Sequence, residues 1–385
     1  MKNDAFLDTG AQNSIPSKAQ NFFPPNGAIC ASVSRKYSST TPKTLEPSWH
    51  QSWAYRALPL PNSHLIRISS QTSNHPTNRP PPARSNGRTP FEVRKPTVNL
   101  SSLSHAHGSA LVRTGDTTVI CGIRAETILT ENIPNYRASN TQTELSDYDL
   151  LVPNIELATG SAPQFLPGGP PTTLAQTLST KIYSLLHSSK LLRAEDLRIW
   201  HNRPAEVSFA DEEEGAEESD QKEGEKYVVA YWVLYIDLFF ISFDGNPFDA
   251  AWAATVAALR DTKLPQARYD PDREMILCSR KDPKPLTVES MPISCTAVIF
   301  TGKETKDQPA DGKFWLLADP DTLEESLCDE TVTIVIDCTG GSRRILSISK
   351  HGGTVMTAKL LTSKEFLNWA STRWEDFASA ITGSQ

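Results

Sequence analysis

"YVVAYWVLYIDLFFISFDGNPFDAAWAATVAALRD" runs from Tyr227 to Asp261 and holds the transition that decides the fold. Its first half is rich in β-branched and aromatic residues and carries Asp237, so Tyr227 to Phe243 reads as buried strand. No apolar run in the chain approaches the roughly 20 residues that cross a bilayer. The second half is a glycine turn opening into an alanine-rich helix over Pro247 to Arg260. Asn246 suits the cap, Pro247 suits the first helical position, and Asp249 lies three residues beyond the cap. Such a turn can present backbone N–H groups to a phosphate. Here Asp249 puts a negative charge where an anion would sit, which satisfies the helix end and repels phosphate.

The pattern continues on both sides. Upstream, Pro96 to Leu129 reads as strand, strand, tight hairpin and strand, with Ser109 to Arg113 pairing back onto Thr117 to Ala125. "LLVPNIELA" is a further strand, followed by a helix with Leu174, Leu178, Ile182, Leu185 and Leu186 on one face. "EDLRIWHN" is a strand next to the acidic run "DEEEGAEESDQKEGE" (Asp211 to Glu225), which reads as a solvated insertion. Downstream, "MILCS", "ISCTAVIFTG", "FWLLADPD", "TVTIVIDCTGG" and "RILSISKHGG" are strands, and Ser363 to Ala380 is helical. The fold class is α+β: mixed β-sheets with interposed helices, in two βαβ-type halves. The expected organisation is a disordered or species-specific extension over 1–78 and a domain over 79–385, with the disordered acidic insertion at 205–226 and the second half starting near 287.

Charge and cysteine usage narrow the function. The net charge is −7, but residues 1–78 hold seven Lys/Arg and three Asp/Glu, a net of +4, leaving −11 for the rest. An acidic body excludes a protein that grips nucleic acid over its whole surface, while leaving room for a local basic groove. The segment "ICASVSRKYSSTTPK" is basic and Ser-rich like a transit peptide, but lacks an amphipathic Arg-bearing helix. Six cysteines without a C-x-x-C pair read as free thiols in a reducing compartment, not a zinc site. His105 and His107 would share a strand face, but with no third ligand nearby they read as a surface or interface pair.

Six stretches, in order, resemble the RNase PH family. They are "SNGRTPFEVRKPTVNLSSLSHAHGSALVRTGDTTVICGIRAE", "LLVPNIEL", "PGGPPTTLAQ", "WVLYIDLFFISFDGNPFDAA", "LLADPDTLEESLCDETVTIVID" and "SKHGG". The family opens on an Arg-x-Asp-Gly-Arg turn; here Asn86 replaces the Asp between Arg84 and Arg88. The resemblance implies a place in a six-membered ring of RNase PH-like subunits in the eukaryotic exosome core, under RNA-binding cap subunits. It also implies 3′ processing and decay of RNA, ribosomal RNA included, in nucleus, nucleolus and cytoplasm, with single-stranded RNA as partner and no membrane.

Active members hold phosphate against RNA with arginines, and use paired aspartates for acid chemistry or a metal. The resemblance places Phe248 at one arginine position, and Tyr183 and Leu186 at two more on the preceding helix. The two acid positions fall on Glu325 and Thr331, so one acid is kept. The expectation is a degenerate site with no catalytic residue, cofactor or metal. RNA contact then rests on Arg88, Arg94, Arg113 and Arg137 facing a pore. The competing readings are an active phosphate-dependent 3′-5′ exoribonuclease and a free RNA-binding module.

Overall fold

The computed structural model describes residues 84–384 except 142, 168, 203–225, 302–313, 354 and 358–360. The segment 1–78 and all of the acidic insertion but Lys226 lie outside the described residues.

The first sheet contains β1 (Pro96–Leu100), β2 (Gly108–Thr114), β3 (Thr117–Leu129), β4 (Leu151–Leu157), β5 (Arg198–Asn202) and β6 (Lys226–Ser242). Its order is β1-β2-β3-β6-β4, with β5 also on β6. β6 is the axis: β3 pairs along one edge, and β4 (parallel) and β5 (antiparallel) follow end to end along the other. Leu234, Ile236, Leu238 and Phe240 point inward and are buried, while Asp237, Phe239 and Ile241 are exposed on the outer face. Asp237 is therefore a surface residue, meeting Asn154 at 3.3 Å. Asn202 and Lys226 are paired, so the acidic insertion leaves and re-enters the sheet at one point.

On the inner face lie α2 (Thr173–Ser189) and α3 (Pro247–Asp261), while a short α1 (Glu144–Asp147) precedes β4. Thr172 caps α2, accepting from the Ala175 N–H at 3.2 Å, and Leu178, Ile182, Leu185 and Leu186 are buried; Leu174 is half-buried. α3 is apolar on every side and buried from Ala250 to Leu259, the composition of a helix packed on two faces. It touches β2 and β3 on one side and β9 (Ile293–Thr301) on the other. Its alanines permit that approach, and Trp252 fills the layer, donating Nε1–H to Pro292 O at 2.8 Å. Gly108 shows how close the layers run: a Cβ there would lie 2.2 Å from Thr262 Oγ1.

The second sheet is β10-β9-β11-β12, with β10 at Phe314–Ala318, β11 at Glu330–Asp337 and β12 at Arg344–Gly352. β10 and β11 both run antiparallel to β9, hence parallel to each other, and α4 (Thr322–Leu327) carries the crossover between them. The second half is thus a split βαβ unit. α5 (Lys364–Thr382) closes the core against β1, β9 and β11. The "MILCS" strand belongs to a hairpin of β7 (Lys263–Asp270) and β8 (Met275–Pro285). β7 was not legible, because "KLPQARYD" has a proline and no clean apolar face.

Asp319 ties these parts together. It is 1% exposed, in the left-handed region at φ 49°. Its carboxylate accepts from Arg94 N, Nε and Nη2 at 2.8, 3.0 and 2.9 Å, from Arg88 Nη1 at 3.3 Å and from Asn246 Nδ2 at 2.8 Å. Arg373 of α5 stands 3.9 Å away. Burial alone would push this carboxyl up, but the Arg94 hydrogen bonds and the Arg373 and Arg94 charges hold it well below the usual carboxylate range. Its main-chain oxygen takes Arg84 Nη2 at 3.0 Å, and Arg84 also grips Glu324 at the start of α4. The opening turn, the Asp-Gly-Asn turn, the end of β10 and the terminal helix thus share one anion. Asp319→Asn strands buried guanidinium groups, and we expect a loss of about 3–5 kcal/mol in urea unfolding; a loss below about 1 kcal/mol would show the cluster to be incidental.

Candidate functional site

The turn at Asp244–Asn246 is built by φ values only glycine and asparagine tolerate well. Gly245 has φ +71°, and a Cβ would come within 2.4 Å of the Asp321 main chain. Asn246 has φ 50° and does not cap α3 with its side chain. Its Nδ2 instead bridges Asp249 Oδ2 (2.9 Å) and Asp319 Oδ1 (2.8 Å). Asp249 also departs from expectation. It is 2% exposed and turned into the core, accepting from Thr296 N and Oγ1, both at 2.8 Å. Burial pushes its carboxyl above the usual range. It pins α3 to β9 and does not stand at the mouth of the turn to repel an anion.

Beside that turn is a cavity of about 360 Å³ between α2, Phe248 and the β11–β12 hairpin. Thr333 and Val335 of β11 face it with Ser347, Ser349 and His351 of β12, the i, i+2 alternation of two paired strands. From α2 come Thr180, Lys181, Ser184 and Ser188. The positions expected there, Tyr183 and Leu186, face elsewhere. Tyr183 donates to Asp149 Oδ1 at 2.7 Å, and Leu186 is 1% exposed in the core. At 3.6 residues per turn, an error of two positions turns a side chain to the far face.

The correction brings in a cation that the sequence reading missed. Lys181 Nζ lies 5.8 Å from the Phe248 ring centre, a cation–π distance, with no hydrogen bond or ion pair among the described residues. Burial lowers its basicity; the Lys181 charge, then burial, lowers that of His351. Glu325 accepts from Asn246 N at 2.8 Å, and burial pushes its carboxyl up to about 7. Thr331 lies on β11 beside Cys328, with Sγ to Oγ1 at 3.5 Å, and supplies no second acid. Among the described residues the cavity thus offers one amine, one imidazole and several hydroxyls, and the Glu325 charge acts on that amine. Among the described residues it has no forked, permanently charged guanidinium group of the kind that clamps a phosphate from two directions. Residue spacing on β12 carried the missed signal, since Ser347, Ser349 and His351 alternate along one strand.

The four arginines divide. Arg94 and Arg88 meet at Asp319, with side chains 10% and 13% exposed, so both are held inside the fold. Arg113 is 59% exposed at the β2–β3 turn, donating to Gly115 O at 2.8 Å. Arg137 is exposed beyond the other end of β3. A strand of 13 residues spans about 40 Å at 3.3 Å per residue, so these two do not form one patch. His105 and His107 lie in the turn before β2, not on a strand, and His107 Nδ1 accepts from Ala125 N at 3.0 Å.

Comparison with known proteins places this geometry. Residues 92–265 match the 3′ exoribonuclease family, domain 1, and residues 290–365 match domain 2 of the same family. The exosome complex component rrp43 of Schizosaccharomyces pombe is 33% identical over 279 residues, covering 72% of this chain and 83% of that protein. The chain belongs to the RNase PH family. The Archaeoglobus fulgidus exosome complex component Rrp42 is 26% identical, over 72% of this chain and 83% of its own length. A solved structure, "archaeoglobus fulgidus exosome with RNA bound to the active site", shares the fold at TM-score 0.51 and 24% identity, covering 77% of this chain and 92% of that one. The two RNase PH sheets, with α3 between them, are thus the family's architecture. The Asp244–Asn246 turn and Phe248 lie within the domain 1 match.

A raised carboxyl makes a pH prediction. Glu325 keeps its proton in the fold up to about 7, against 4.5 ordinarily, so its contribution to stability falls as pH rises across that window. From pH 5 to 8 the group costs on the order of 3 kcal/mol. Glu325→Gln removes this part of the decline, as read by urea midpoints at the two pH values; an unchanged decline would place the proton elsewhere.

Proposed function

We propose that this chain is a non-catalytic ring subunit of an RNA exosome core, scaffolding the complex and helping line the channel through which RNA is processed and degraded from its 3′ end. The observation that carries the reading is the cavity beside Phe248, which keeps the enzyme frame without an arginine clamp. The relatives named as exosome components support the ring assignment. So does the outer face of the first sheet, where Phe239 and Ile241 are 38% and 44% exposed with no described element over them. Partners are other RNase PH-like subunits, RNA-binding cap subunits and single-stranded RNA, with Arg113 and Arg137 as separate backbone contacts. The compartments are nucleus, nucleolus and cytoplasm, and maturation of ribosomal RNA is among the tasks. Within this reading the family domain extends over 79–385, with 1–78 and 205–226 as additions to it. No described helix is long and apolar enough to cross a membrane.

One observation favours the alternative of an active phosphate-dependent exoribonuclease: Lys181 and His351 line the cavity, and the charge of Glu325 acts on Lys181. Two assays separate the readings. Full-length protein incubated with 3′-hydroxyl RNA, Mg²⁺ and phosphate should release no nucleoside diphosphate, and Phe248→Arg alone should not restore release, because Thr331 still lacks a carboxylate. Release that Lys181→Ala abolishes would establish the enzyme instead. Tagged purification should recover stoichiometric partners of the same fold; a chain that migrates alone would defeat the scaffold reading.

A further inference from the structure

A second cavity, of about 300 Å³, lies along α2 toward the other end of the β11–β12 hairpin, and the two cavities share no lining residue. Three cations line it, Lys190, Arg193 and Arg344, against two carboxylates, Glu289 and Asp337. Asp337 is fully buried and pairs with Arg344; Glu289 pairs with Arg193. Those pairs orient the guanidinium groups without exhausting them. A guanidinium has five N–H donors, and among the described residues each of these uses only Nη2. Their side chains remain 54% and 58% exposed. Lys190, in the left-handed region at the C-cap of α2, is exposed and has no hydrogen bond or ion pair among the described residues.

The concavity therefore faces a ligand with two fixed forks and one mobile ammonium. Its net charge is +1, counting three cations and two anions. The C-terminal dipole of α2 opposes an anion, and Lys190 sits where it offsets that end. Forked donors suit an anion with several coplanar or tetrahedral oxygens better than a halide or a single carboxylate oxygen. The volume, at the lower limit of small-molecule sites, suits a compact group. We infer that this cavity binds a phosphate group. It stands apart from the Phe248 cavity and does not depend on the exosome assignment. The phosphate can come from the backbone of single-stranded RNA or from a free small anion.

The test uses full-length protein, inorganic phosphate followed by ³¹P line broadening, and a single-stranded oligoribonucleotide followed by anisotropy. Lys190→Glu and Arg193→Gln should each weaken phosphate binding by about tenfold, with unfolding midpoints unchanged. Lys181→Ala, in the other cavity, should leave it intact. If oligoribonucleotide affinity also falls and its salt slope drops by about 1, the bound group is an RNA phosphodiester. If phosphate binding alone falls, it is a free anion. Wild-type protein that binds neither probe would overturn the inference. So would phosphate binding lost in Lys181→Ala and kept in Lys190→Glu.

Discussion

One buried carboxylate holds the two sheets in register. Asp319 is dehydrated and takes donors from the opening turn, the Asp-Gly-Asn turn and α5, which come from distant parts of the sequence. An ion in that setting gains stability only when its lone pairs are filled. Each arm that brings a donor is therefore constrained by the others. Arg94 also donates to Asp244 O at 2.7 Å and Pro320 O at 3.1 Å, which fastens the turn leading into α3 to the loop before α4. The left-handed backbone at Asp319, Gly245 and Asn246 is the local strain that this cluster supports.

The same constraint fixes the backbone beside the Phe248 cavity. The turn, the helix start and β9 are fixed by bonds among Asn246, Asp249, Thr296 and Asp319, none of which lines the cavity. Side chains at the rim are free to change without disturbing that scaffold. Phe248 is one of these rim side chains. Lys181 rests over its ring, which gives the amine an electrostatic partner but none of the fixed directionality of a guanidinium.

Much of the fold was legible because local periodicity and tertiary burial agree. The β2–β3 hairpin, the strand character of β6 and the buried face of α2 follow from alternation, β-branched content and helical spacing, whereas the exposed outer set of β6 does not. What failed depended on three-dimensional context. Asn246 and Asp249 have the residue types of a helix cap, yet the buried neighbours Thr296 and Asp319 outcompete the helix end for their side chains. Arg88 and Arg94 look like surface charges, since nothing in the sequence shows a buried anion more than 200 positions away; the contact separations are 231 and 225 residues. The α2 face toward the cavity was misplaced because a register counted back from Leu197–Ile199 crosses a loop whose geometry the sequence does not fix, and a slip of two residues reverses a helix.

The paired residues Asn202 and Lys226 close the sheet beneath the acidic segment. Because the ladder is complete at that point, the segment can change length over evolution at little thermodynamic cost, as loop-closure entropy grows only with the logarithm of length. The junction is thus a natural port: a site where a tag, a fluorophore or a tether for surface attachment can be inserted while the two-sheet body remains unaltered.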